Sequence, residues 1–113
     1  MNPINSQSSW VFVIEEKTLQ ENSVNPVFPK GLPVLLIKTA GQIYAISNKC
    51  AHMGCALGGG TLKDFTIQCP CHDWRYDIRT GEFLDAKEIR LPTYQWRVVD
   101  GQLLINIEEG GRS

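Results

Sequence analysis

Cys50-Ala51-His52-Met53-Gly54-Cys55 and, further along, Cys69-Pro70-Cys71-His72-Asp73-Trp74 are the two stretches that decide how this chain is read. Each opens with a Cys and reaches a His shortly after: Cys50-x-His52 in the first, Cys69-x-x-His72 in the second, with sixteen residues between His52 and Cys69. The chain has only two histidines, and both stand here. Two thiolates and two imidazoles carried on two loops can share one metal centre. Cys55 and Cys71 make up the remaining cysteines, each close to one of those histidines on a different loop.

The surrounding segment, residues 48–77, holds all four Cys, both His and four of the ten glycines. It shows little apolar periodicity, so it is expected not to build a core of its own and to depend on metal and cross-link. Outside it the pattern changes to short β-rich runs. Pro33-Val-Leu-Leu-Ile-Lys38 and Gln42-Ile-Tyr-Ala-Ile46 flank Thr39-Ala-Gly41, which reads as a hairpin. Trp96-Arg-Val-Val99 and Gln102-Leu-Leu-Ile-Asn-Ile107 flank Asp100-Gly101, the favoured two-residue turn because both central positions need positive φ. Residues 10–14 read as a further apolar strand. The stretch 15–33 is polar and carries Pro26, Pro29 and Pro33, and it reads as a surface connection with one helical turn. Residues 110–113 read as a frayed tail. The expectation is an all-β fold: an antiparallel β-sandwich or barrel base with a small inserted lobe at about 48–77, one domain over 1–113.

Composition narrows the function. At 113 residues there is room for one modest core, and 42% hydrophobic content is ordinary for a globular chain. A formal net charge of -1 supplies no basic stripe for nucleic acid. No apolar run approaches the roughly 18 residues of a membrane span. The first nine residues lack the basic and apolar regions of a secretory signal, so a soluble, cytoplasmic protein is expected.

The two loops, with their spacing and flanking strands, resemble Rieske proteins, in which two Cys hold one iron of a [2Fe-2S] cluster and two His the other. That resemblance implies one cluster per chain, with Cys50 and Cys69 on the inner iron and His52 and His72 on the outer. Two ferric ions, two sulfides and two thiolates sum to zero charge, so such a cluster accepts an electron more readily than an all-Cys one. The potential then falls in the range of roughly -150 to +300 mV, against about -400 mV for plant-type ferredoxins. Structural zinc could use the same four side chains, but its usual order places a Cys pair first and a His pair later.

The resemblance extends to Cys55 and Cys71, which in Rieske subunits of cytochrome bc complexes form a disulfide between the loops. Two thiols are the alternative, and a reducing cytosol favours them. Gly54, Gly58, Gly59 and Gly60 suit loops of positive φ whose N–H groups approach sulfur, although Gly60 also fits an ordinary turn. Pro70 would shape or simply stiffen the second loop. Bc-type proteins follow the second His with Gly-Ser-x-Tyr; here Asp73 and Trp74 replace Gly and Ser, and Tyr76 matches the Tyr. The run from Trp74 to Gly81 looks instead like Rieske ferredoxins and oxygenase Rieske domains. Tyr76 could donate to a cluster sulfur or pack as an ordinary strand aromatic. Met53 stands where the family often covers the cluster with an apolar residue, or else fills a gap. Pro92, in Arg90-Leu-Pro-Thr93, resembles the family's proline loop over the cluster, and a strand-entry proline fits equally.

The resemblance implies a non-enzymatic one-electron carrier, a ferredoxin-like donor to an oxidoreductase or oxygenase, with a redox protein on either side. An accessory subunit of a larger reductase, like the Rieske-type subunit of nitrite reductases, is the other reading. A self-contained oxygenase would need two further histidines for a mononuclear iron. A thiol redox protein would need Cys-x-x-Cys rather than Cys69-x-Cys71.

Overall fold

Among the described residues Val34-Leu35-Leu36-Ile37 is the most deeply buried run, each residue at 0% exposure, and its alternation organises the molecule. A computed structural model describes residues 10–51, 54–71 and 73–107. Eleven strands stand among them: β1 (Trp10–Glu15), β2 (Ser23–Val27), β3 (Val34–Thr39), β4 (Gln42–Ser47), β5 (Thr61–Lys63), β6 (Thr66–Gln68), β7 (Arg75–Asp77), β8 (Glu82–Phe83), β9 (Ala86–Arg90), β10 (Gln95–Val99) and β11 (Gln102–Asn106). They form three antiparallel sheets, ordered β1-β11-β10, β2-β3-β4 and β5-β6-β7-β8-β9. The expected all-β architecture is present, and among the described residues the only helices are three 3-10 turns.

Successive side chains of a strand point to opposite faces, and β3 uses both. Val34 and Leu36 join Ile43, Ala45, Leu103 and Ile105 in one core; Leu35 and Ile37 join Ile46, Leu57, Ile67, Tyr76 and Ile78 in another. The sheet β2-β3-β4 is thus the shared middle layer, with β1-β11-β10 on one side and the five-stranded sheet on the other. Trp96 Nε1 donates to the Ile43 carbonyl at 3.1 Å and fastens the first sheet to the middle one.

Both hairpins form at the expected turns. Ala40 and Gly41 have φ of 55° and 74°, and Asp100 and Gly101 have 53° and 80°, with Thr39 facing Gln42 and Val99 facing Gln102. Two expectations need correction. The stretch 15–33 contains β2 as well as 3-10 turns at Glu16–Thr18 and Pro29–Gly31. Pro26 is tolerated because β2 lies at a sheet edge, where one side of the strand needs no N–H donors. The second correction concerns residues 48–77. Their side chains Leu57, Ile67 and Tyr76 are fully buried in the core shared with β3 and β4, so the segment builds one wall of a common core. The strands β8 and β9, unassigned in the sequence reading, complete that wall.

Candidate metal centre

β4 and β6 each deliver a cysteine just beyond their ends. After Ser47, the side-chain Oδ1 of buried Asn48 accepts from the Gly58 N–H at 2.8 Å, and the Asn48 backbone N–H donates to the Pro33 carbonyl at 3.0 Å. Just beyond, the Cys50 N–H donates to the Cys55 carbonyl at 2.8 Å, closing the span from one to the other. Gly54 N–H returns to the Cys50 carbonyl at 2.8 Å, with φ of 77°, a conformation that favours glycine. The second loop, 69–74, joins β6 to β7 and closes the same way: Cys69 N–H donates to the Trp74 carbonyl at 2.8 Å. In both loops the cysteine that opens it bonds the residue five positions later, so the two loops share one backbone device.

Cys50 and Cys69 are buried, at 3% and 2% exposure, and lie in the core beneath β3 and β4. Cys55 and Cys71 are joined by a disulfide across a sequence separation of 16, tying one loop to the other. The sulfurs of Cys55, Cys69 and Cys71 all lie within 4.8 Å of one another. His52, Met53 and His72 lie outside the described residues, so the two imidazoles and the thioether of the sequence reading have no structural account here.

Tyr76 answers the question left open for it. Its ring is fully buried, its oxygen accepts from the Ala51 N–H at 3.0 Å, and it lies 3.3 Å from Cys50 Sγ. Burial, followed by the Cys50 contact, pushes the phenol above its ordinary value. With the Ala51 N–H already filling an acceptor position, the hydroxyl hydrogen is available for a Cys50 thiolate. Trp74 stacks on Phe83 at 4.1 Å between centroids and 10° between planes, and both rings border Tyr76. Where bc-type proteins place a serine hydroxyl, this chain therefore places an aromatic prop for the second loop. Pro92 is exposed; its carbonyl accepts from the Ser47 N–H at 2.9 Å, pinning the exit of β4 shortly before Cys50. Pro70 lies against the turn Leu57–Gly59, with its Cγ 3.7 Å from where a Cβ on Gly59 would sit.

The glycine expectation is corrected. Of the four, only Gly54 has positive φ. Gly60, with φ of -89°, needs no unusual conformation, yet it is the most constrained: an added Cβ would lie 1.8 Å from the Gln68 carbonyl oxygen. Asn48 was missed by the sequence reading. A polar residue directly after an apolar strand is its only signal.

A [2Fe-2S] group suits this donor set. Two buried thiols open two loops of matched closure, and the Tyr76 phenol lies 3.3 Å from one of them, placed to meet charge on that sulfur. The disulfide takes Cys55 and Cys71 out of any donor set, so the thiols left for a metal are those of Cys50 and Cys69.

The disulfide should carry measurable stability. Opening the link with Cys55→Ser or Cys71→Ser is expected to cost about 3 kcal/mol, the chain-entropy value for a loop of this length. Urea titration of wild type and variant checks this, and an unchanged midpoint would count against it.

Comparison with known proteins gives a consistent picture. A profile of the Rieske [2Fe-2S] domain matches residues 9–95. The ferredoxin component of the naphthalene 1,2-dioxygenase system of Pseudomonas putida is 28% identical over 99 residues, covering 87% of this chain and 95% of that protein. Sulredoxin of Sulfurisphaera tokodaii is 26% identical, covering 87% of this chain and 98% of that protein. Among solved structures, the ferredoxin of carbazole 1,9a-dioxygenase from Nocardioides aromaticivorans IC177 superposes with a TM-score of 0.76 at 27% identity, covering 85% of this chain and 95% of that one.

Proposed function

This chain belongs to the Rieske [2Fe-2S] domain family, and from that premise we propose that it is a soluble one-electron carrier, not itself an enzyme, which passes electrons from a reductase to an oxygenase. The observation that carries the reading is the pair of matched loops, each presenting a buried cysteine at its opening. Similarity to ferredoxin components over nearly their whole length supports it, and favours this reading over an accessory subunit of a larger reductase.

In this reading Cys50, His52, Cys69 and His72 hold one cluster, on a single domain spanning the chain. When bound, the cluster supplies reversible one-electron chemistry at a potential raised by histidine ligation. The chain's own residues set the conditions. Burial of Cys50 and Cys69 keeps water from the thiolates. The 50–55 and 69–74 closures fix where the sulfurs point, and the disulfide holds one loop against the other. Tyr76 donates its hydroxyl hydrogen to Cys50 Sγ, an interaction that strengthens as negative charge on the sulfur grows. It therefore favours the reduced state. Tyr76→Phe removes that donor while keeping the ring, and is expected to lower the potential by about 40 mV if the bond strengthens by about 1 kcal/mol on reduction. Voltammetry of both proteins measures it; an equal or higher potential in the variant would contradict the role.

The carrier reading is tested in two stages. Electron paramagnetic resonance of the reduced protein should show a [2Fe-2S] signal with the lower average g of histidine ligation. Rapid mixing of the reduced protein with a Rieske-type oxygenase should then reoxidise it. A metal analysis showing zinc and no iron defeats the reading. As a carrier between two proteins it must share an aqueous compartment with both; the cytoplasm is that compartment in this reading, and cell fractionation checks it.

A further inference from the structure

Three sulfurs within 4.8 Å of one another, two of them already bonded, form a thiol–disulfide exchange site in waiting. Cys69 is the third and is buried, while Cys71 is exposed and Cys55 half-buried. Cys50 is not part of this trio. We infer that in the cluster-free chain Cys69 exchanges with the Cys55–Cys71 disulfide, and that iron on Cys69 is what holds the bond in its present place. The second half rests on Cys69 being a cluster ligand, as proposed above.

The chemistry balances without an added oxidant or reductant. Cys69 gives its proton to water, and its thiolate attacks Cys55 Sγ. A Cys55–Cys69 bond forms, the Cys55–Cys71 bond breaks, and the electron pair leaves on Cys71 Sγ, which takes up a proton from solvent. A side-chain rotation brings Cys69 Sγ into reach. Cys55 is the favoured target for two reasons. Attack on Cys71 would close a ring across Pro70 alone, forcing strained disulfide geometry. It would also expel charge onto half-buried Cys55, whereas Cys71 leaves into water.

The exchange couples two chemistries at one atom. Once bonded to Cys55, Cys69 has no thiolate to offer iron, so the exchanged chain cannot take up a cluster until Cys71 attacks back. Conversely, iron bound to the Cys69 thiolate withdraws that form from the equilibrium and draws the disulfide back to Cys55–Cys71 by mass action. Exposed Cys71 would then report to solvent whether the buried ligand position is ready.

The test follows thiols rather than electron transfer. The full chain is stripped of iron by a chelator without reductant, held at mildly alkaline pH, quenched in acid, then denatured, alkylated and peptide-mapped. Alkylation of Cys71 should be at least about tenfold greater than in the iron-loaded chain, with a matching Cys55–Cys69 linkage. The Cys50→Ser chain, which also lacks a cluster in this reading, should show the same pattern. In Cys69→Ser, Cys71 should stay unalkylated. Absence of Cys71 alkylation in the stripped wild type overturns the inference. So do linkages containing Cys50, which mark unselective scrambling of an unfolded chain. Equal Cys71 alkylation with iron bound supports the exchange and overturns the ligand role of Cys69.

Discussion

Cys50→Ala and Cys69→Ala are each expected to yield colourless protein without a [2Fe-2S] cluster. In the proposed ligand set each thiolate bonds iron directly, and no other residue stands in for it. Cys55 and Cys71 are bonded to each other, and Cys50 and Cys69 each open a separate loop. The fold should survive, because both cores rest mainly on aliphatic side chains of β3, β4, β6 and β11. Far-ultraviolet circular dichroism should therefore stay near wild type while iron and sulfide content fall to background. Full iron and sulfide in either variant would show that the ligands lie elsewhere.

The second large effect belongs to a residue that binds nothing. Gly60→Ala is expected to cost more than about 3 kcal/mol, because its methyl would sit 1.8 Å from the Gln68 carbonyl oxygen and 3.2 Å from that of Leu57. The obstacle is backbone, so no side chain can rotate away. Relief requires the β5–β6 pairing to open at Thr61 and Gln68, and Gln68 immediately precedes Cys69. Loss of cluster incorporation should accompany the loss of stability. Gly59→Ala next door is the control: its nearest neighbour, Pro70 Cγ, would be at an ordinary 3.7 Å, and the change should stay within about 1 kcal/mol. Thermal unfolding of both decides it, and similar melting temperatures would refute the steric account.

Those two glycines also show what a sequence can and cannot disclose. Hairpins were readable wherever the signal was local: Ala40-Gly41 and Asp100-Gly101 declare their turns in two residues. Cys50 and Cys69 were readable because metal-binding side chains recur at short intervals. Gly60 was not, since its own φ is ordinary and its need for a missing side chain arises from a carbonyl eight residues away. β2 escaped because Pro26 argues against a strand unless the strand is known to lie at an edge. β8 and β9 escaped for lack of pattern: one has two residues, and the other, Ala86-Lys-Glu-Ile-Arg90, is mostly polar. Trp74 was readable as a departure from the bc-type serine, but its stacking on Phe83 depends on a strand the sequence did not announce.

The two-faced burial of β3 has a consequence for how the molecule opens. A strand that faces a single core can peel away while the rest stays folded, whereas Val34-Leu35-Leu36-Ile37 cannot leave either core without unzipping the other. The amide hydrogens of β3 should therefore trade for solvent deuterium only when the entire chain unfolds, and set the upper limit of protection in the molecule. Stripping the iron should speed exchange of the Cys50, Gly54 and Cys69 amides and leave β3 almost as slow as before. The redox centre would then be the part that breathes, and the middle sheet the part that keeps the chain's shape between one cluster and the next.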